Sequence, residues 1–134
     1  STLSTANISS KAANTPPVIK DLNGTECGQF CRAWVNFDGT GTVSIRDSFN
    51  VSSITDNGTG AYSVNFATAM PNANYCASCL TQFDNTNAVT TSPAAVFSEF
   101  ARAAYTTTQV SVIMGIYNGT QYDCKTVSVA VFGG

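Results

Sequence analysis

Histidine is absent from the chain. That removes Ser-His-Asp and Cys-His catalysis, and the commonest metal ligand with them. Charge is scarce as well. Six Lys and Arg stand against eight Asp and Glu, 10% of 134 residues, where about a quarter is ordinary. A net charge of −2 and a pI near 4.7 give no electrostatic reason to hold a polyanion, so nucleic acid is not an expected partner. No apolar run approaches the ~20 residues of a membrane-spanning helix. No charged-then-apolar signal segment is visible in the sequence, and the opening Ser1-Thr2-Leu3 suits a product expected to be made in the cytoplasm with no membrane insertion.

The remaining chemistry is thin. No Ser-x-x-Lys spacing occurs. Asp38-Gly39-Thr40-Gly41 carries an inserted glycine where an aspartic-protease motif would read Asp-Thr-Gly, and it reads as a turn. Glu99, between Phe97 and Phe100, is the one carboxylate in apolar company. Neither a phosphate-binding loop nor a dinucleotide fingerprint is present. Asp21-x-Asn23-Gly24 and Asp56-Asn57-Gly58 lack the further acids of a calcium loop. The Asn-x-Ser/Thr triplets at Asn7, Asn23, Asn50, Asn57 and Asn118 follow from a composition rich in those residues. These absences predict no enzymatic activity, no cofactor and no metal.

What is present is alternation. Period-2 apolar runs broken by Gly, Asn and Asp turns predict strands at 30–37, 41–46, 51–55, 61–66, 75–82, 95–105, 107–117 and 125–132. Turns are expected at Asp38-Gly39, Asn57-Gly58, Pro71-Asn72, Asp84-Asn85 and Asn118-Gly119. The fold class this predicts is all-β: an antiparallel, jelly-roll-like β-sandwich over residues 27–134, with an extended N-terminal arm over 1–26. A helical turn competes with strand within 92–104, capped by Ser92 with Pro93 in the first turn. The run 110–117 is the most apolar and is expected to be central. Trp34 is expected in the core, like most aromatics in alternating strands. Tyr62, Tyr75, Tyr117 and Tyr122 share that reading, the alternative being exposed rings that stack on sugars. A last run that alternates up to Phe132 fits a chain ending inside its sheet.

Residues 1–26 have little strand character. Pro16-Pro17 favours an extended, polyproline-like path. Leu3, Ile8, Pro16, Pro17, Val18 and Ile19, with Leu22, are apolar positions that an arm would lay on a partner subunit; a free tail is the alternative.

Five cysteines pose the sharpest local question. Cys27, Cys31, Cys76 and Cys79 form the candidate cluster, with Cys124 left over. Three readings stay open: a disulfide joining Cys27 or Cys31 to Cys76 or Cys79, free thiols, or a four-thiolate zinc site. Against zinc, residues i and i+3 of one strand point to opposite faces.

Beyond these local signals, one long run carries a family likeness. Trp34-Val35-Asn36-Phe37-x-Gly39-Thr40-Gly41 is followed by Ser48-Phe49-Asn50-Val51-Ser52-Ser53-Ile54-Thr55-Asp56-Asn57-Gly58-Thr59-Gly60-x-Tyr62-x-Val64-Asn65-Phe66, and then by Ala69-Met70-Pro71-Asn72-Ala73-Asn74-Tyr75. The run resembles a module of virion surface proteins in tailed phages, chiefly phages of marine bacteria and cyanobacteria, often labelled tail-fibre-like. The likeness covers residues 32–75, about a third of the chain. It implies a β-rich structural protein of the virion. The leading expectation is a sandwich made in the bacterial cytoplasm that assembles with itself, as a homotrimer, on the particle. Two placements follow. One is a capsid decoration (cement) protein on the major capsid protein; the other is a tail-fibre or receptor-binding module facing a host-surface glycan. The near-absence of charge and the apolar arm favour decoration. The family pattern requires no flanking cysteines.

Overall fold

The computed structural model describes the chain except residues 1, 3, 11, 13, 14, 83–103, 116–118 and 134. It falls into two compact units, Ser1–Phe30 and Cys31–Gly134.

In the first unit two short antiparallel strands, β1 (Ile19–Lys20) and β2 (Glu26–Gly28), form a small hairpin where the sequence predicts only an extended arm. Its turn is built by one side chain. Asp21 Oδ1 accepts the N–H groups of Asn23 and Thr25, each at 2.9 Å. The Asp21 carbonyl also accepts the Gly24 N–H at 3.1 Å. Such an Asx-type turn needs no long apolar run, which is why period-2 analysis misses it. Leu22, at the tip, is fully exposed.

The second unit is an antiparallel β-sandwich. One sheet has strand order β4-β3-β9-β7, from β3 (Cys31–Asp38), β4 (Ser44–Phe49), β7 (Cys76–Gln82) and β9 (Thr126–Phe132). The other has order β5-β6-β8, from β5 (Val51–Gly58), β6 (Ala61–Phe66) and β8 (Gln109–Ile113). Alternation explains the packing. Ala33, Val35 and Phe37 of β3 and Val127, Val129 and Val131 of β9 point inward. They meet Tyr62, Val64 and Phe66 of β6, Val110 and Val112 of β8, and Met114 in one core. Phe37 and Tyr62 pack edge to face across the sheets, with ring centroids 5.2 Å apart.

A single residue, Asn50, passes the chain from β4 to β5. Its φ of 53° lies in the left-handed region, which asparagine tolerates better than most residues. Its side chain fixes the corner: Nδ2 donates to the carbonyls of Arg32 (3.1 Å) and Thr68 (3.2 Å), and Oδ1 accepts the Thr68 N–H at 2.7 Å.

Several predicted elements move. The β5–β6 hairpin turns at Thr59-Gly60, and Asn57-Gly58 closes β5 across a bulge. Among the described residues β8 lies at a sheet edge, and β6 takes the centre predicted for 110–117. The predicted strand 95–105 and the helical alternative at 92–104 lie almost wholly outside the described residues, as does Glu99.

Candidate functional site

The outer face of the four-stranded sheet carries the most distinctive surface. Cross-strand partners share a face, so register reads off its rows. Phe49, Trp34, Ala130 and Ser78 form one continuous row across β4, β3, β9 and β7. Asp47, Asn36, Ser128 and Leu80 form the next. Beyond the first row Phe132 lies between Cys31 and Cys76. Trp34 (36% exposed), Phe49 (54%) and Leu80 (73%) therefore give the sheet an apolar outer surface. Charge is interleaved with it: Asp47 stands in the second row, and Arg46 reaches across to Asp38 at 3.5 Å and donates to Asn36 Oδ1 and the Lys125 carbonyl.

Trp34 is thus not a core residue, contrary to the sequence expectation. Ala33, Val35 and Phe37 hold the inward positions, and a period of two leaves Trp34 on the solvent side with Asn36 and Asp38. That sorting is visible in the sequence, where Asn36 and Asp38 mark the outward parity. Tyr62 and Tyr75 are buried, so neither is free to stack on a sugar. Tyr122 is half-buried, and Tyr117 lies outside the described residues.

At one end of the sandwich a buried polar pin joins three loops. The Tyr62 hydroxyl lies 2.8 Å from both Asp123 Oδ1 and the Gly39 carbonyl, donating its single proton between them. Asp123 Oδ1 also accepts the Gly60 N–H at 2.8 Å. Burial first, and then Asp123, push the phenol well above its ordinary pKa, so it stays protonated as a donor. The pin leaves no room for side chains: a Cβ at Gly39 would meet the Tyr62 hydroxyl at 2.4 Å, and one at Gly60 the Met114 carbonyl at 2.6 Å. These bonds tie the three loops to one another and hold that end of the fold. Sequence reading missed it because Tyr62 and Asp123 stand 61 residues apart.

Within the second unit Cys31, Cys76 and Cys79 do not converge. All five are free thiols. Cys27 belongs to the first unit, where its thiol lies 3.7 Å from the Ile19 carbonyl. Cys31 and Cys76 both align with Phe132, one on each side of β9, which separates them by two strand spacings, about 9.6 Å. A disulfide needs Cα atoms within about 7 Å, so a Cys31–Cys76 staple is excluded without backbone movement. Cys76 faces outward and Cys79 inward, opposite Val129, so the four thiols cannot share one zinc. Burial pushes the Cys79 thiol up to about 12 and raises that of Cys124 too, leaving both poor nucleophiles at neutral pH. Among the described residues no three Cys, Asp or Glu side chains gather to hold a metal ion.

Of the arm positions, Ile8, Val18 and Ile19 are exposed, Pro16 and Pro17 half-buried, and Leu3 lies outside the described residues.

Comparison with known proteins gives no match: no family model, no curated protein and no solved structure aligns with the chain.

Proposed function

We propose that the chain is a structural protein of a tailed-phage virion, binding the head surface as a capsid decoration protein through its sandwich and its N-terminal unit. The observation that carries this reading is the apolar outer face of the four-stranded sheet, where Trp34, Phe49 and Leu80 stay exposed while the core is filled. A flat face of this kind suits packing against other subunits, where aromatic anchors supply most of the binding energy. Exposed Ile8, Val18 and Leu22 give the N-terminal unit apolar contacts of its own. The resemblance over residues 32–75 supplies the virion context.

A second reading, a tail-fibre or receptor-binding module, is favoured by one feature: the exposed Trp34 indole on a sheet face is a platform on which a pyranose ring of a host glycan would stack.

Antibody-gold labelling of intact particles, viewed by electron microscopy, tests the proposal. Gold over the head supports decoration, gold confined to the tail supports the fibre reading, and unlabelled particles refute both. Deleting residues 1–30 should weaken attachment to heads with the sandwich intact; undiminished attachment would refute the role of the N-terminal unit.

A further inference from the structure

The strand edges of the sandwich are treated unequally. A sheet edge displays unpaired N–H and C=O groups that template further strands, and proteins blunt it with charge, proline or bulges. β4 carries Arg46 and Asp47, and its ladder with β3 is broken by a register shift. β5 carries Asp56 and two register shifts. β8 is the shortest of the four edges, at five residues, and its side chains are buried or half-buried. Among the described residues β7 has none of these devices. Its sequence, Cys-Ala-Ser-Cys-Leu-Thr-Gln, contains no charge, proline or glycine, and its ladder with β9 runs unbroken through seven residue pairs. Among the described residues no strand pairs with its other edge.

We infer that the β7 edge pairs with the β7 edge of a second copy of this chain, antiparallel about a two-fold axis at Cys79. Parity places the axis on a residue, and Cys79, the centre of the seven-residue strand, is the one that pairs the whole edge. With the axis at Cys79, Cys76 lies opposite Gln82, Ala77 opposite Thr81 and Ser78 opposite Leu80. Every such pair joins two outward-facing or two inward-facing residues, so the core faces of both sheets stay on one side. No like charges meet, because β7 has none. Leu80, the most exposed large apolar residue among the described residues of the sandwich, gains Ser78 of the second copy beside it and that copy's Leu80 on the diagonal. The two four-stranded sheets then join edge to edge, and their outer faces become one surface. The edge selects two copies in place of the three expected above, and the inference does not rest on the virion reading. Pairing one strand buries less than the roughly 800 Å² per partner of a standard interface, so association is expected in the micromolar range.

Sedimentation velocity on the full chain over a micromolar concentration series tests it. A monomer–dimer equilibrium is expected. Leu80→Lys, which sets two ammonium groups on the diagonal, and Ser78→Lys, which sets one against Leu80, should each weaken the dimer about tenfold or more. Both side chains are exposed, so circular dichroism should show unchanged folding. Trp34→Ala should leave the dimer intact. A monomer at every concentration, a trimer, or a dimer that survives the β7 variants but dissociates on Trp34→Ala would each overturn the proposal.

Discussion

Replacing Tyr62 by Phe removes a single oxygen from the most constrained point in the sandwich. The ring keeps its edge-to-face contact with Phe37, so packing is nearly unchanged. What is lost is a donor shared between a carboxylate and a buried carbonyl. A hydrogen bond to a charged group contributes about 1.5–3 kcal/mol, and the Gly39 carbonyl loses its side-chain donor at the same time. Against that, phenylalanine no longer has a hydroxyl to desolvate, and Asp123 retains the Gly60 N–H. The net expectation is a loss of about 2 kcal/mol, or a fall in Tm of roughly 6–10 °C for a domain of this size. Urea unfolding followed by circular dichroism measures it, with an unchanged m-value showing that the denatured state is unaltered. A double-mutant cycle with Asp123→Ala should return a coupling energy above about 0.5 kcal/mol. A Tyr62→Phe variant within 0.5 kcal/mol of the parent would refute the pin as a stabilising element.

Other consequences are as direct. Gly60→Ala combines a φ of +69° with a Cβ 2.6 Å from the Met114 carbonyl, so it should cost about 3 kcal/mol or more, whereas Gly41→Ala, at +58° but in open space, should cost about 1 kcal/mol; equal losses in urea titrations would contradict the clash. Iodoacetamide on the folded protein should label exposed Cys27 and Cys76 and spare Cys79 and Cys124, with peptide mass mapping as the readout and rapid Cys79 labelling the refuting result. The Thr40 hydroxyl and N–H hold the Asp38 carboxyl below its usual 3.8. The stability this contributes is complete above about pH 4 and is lost as pH falls through the lower, folded value. The gap in stability between the parent and Asp38→Asn should therefore narrow below pH 4, and a gap that stays constant to pH 2 would remove Asp38 from the account.

Much of the sandwich is legible in the chain because its strands alternate cleanly. Val127, Val129 and Val131 declare β9, and the runs at 61–66 and 75–82 lie within a residue of β6 and β7. The opposed faces of Cys76 and Cys79 follow from the same period. Legibility stops where two apolar residues stand side by side, as at Trp34-Val35, since composition then favours burying both and only the flanking parity decides. It stops again at the hairpin 19–28, which an aspartate turn organises with two- and three-residue strands. Contacts across long separations are silent in a single sequence. Nothing near Cys31 announces that Phe132 will part it from Cys76, and nothing near Tyr62 points to Asp123. The exposed face was hidden for the first of these reasons and the polar pin for the last.

The position of β9 has a consequence in time. It lies between β3 and β7, pairing Cys31 on one side and Cys76 on the other with the same Phe132. Among the described strands of its sheet, the one synthesised last therefore lies inside the sheet. While the chain is on the ribosome, β5 and β6 can close a local hairpin at once, but β3 and β7 must wait, with their inner edges bare, until residue 132 has emerged. Folding then requires closing a loop of about a hundred residues, a topology that ranks among the slow ones. During that interval the nascent chain exposes not one unguarded edge but several, and it is then, before the sandwich exists, that neighbouring copies are best placed to capture one another's strands.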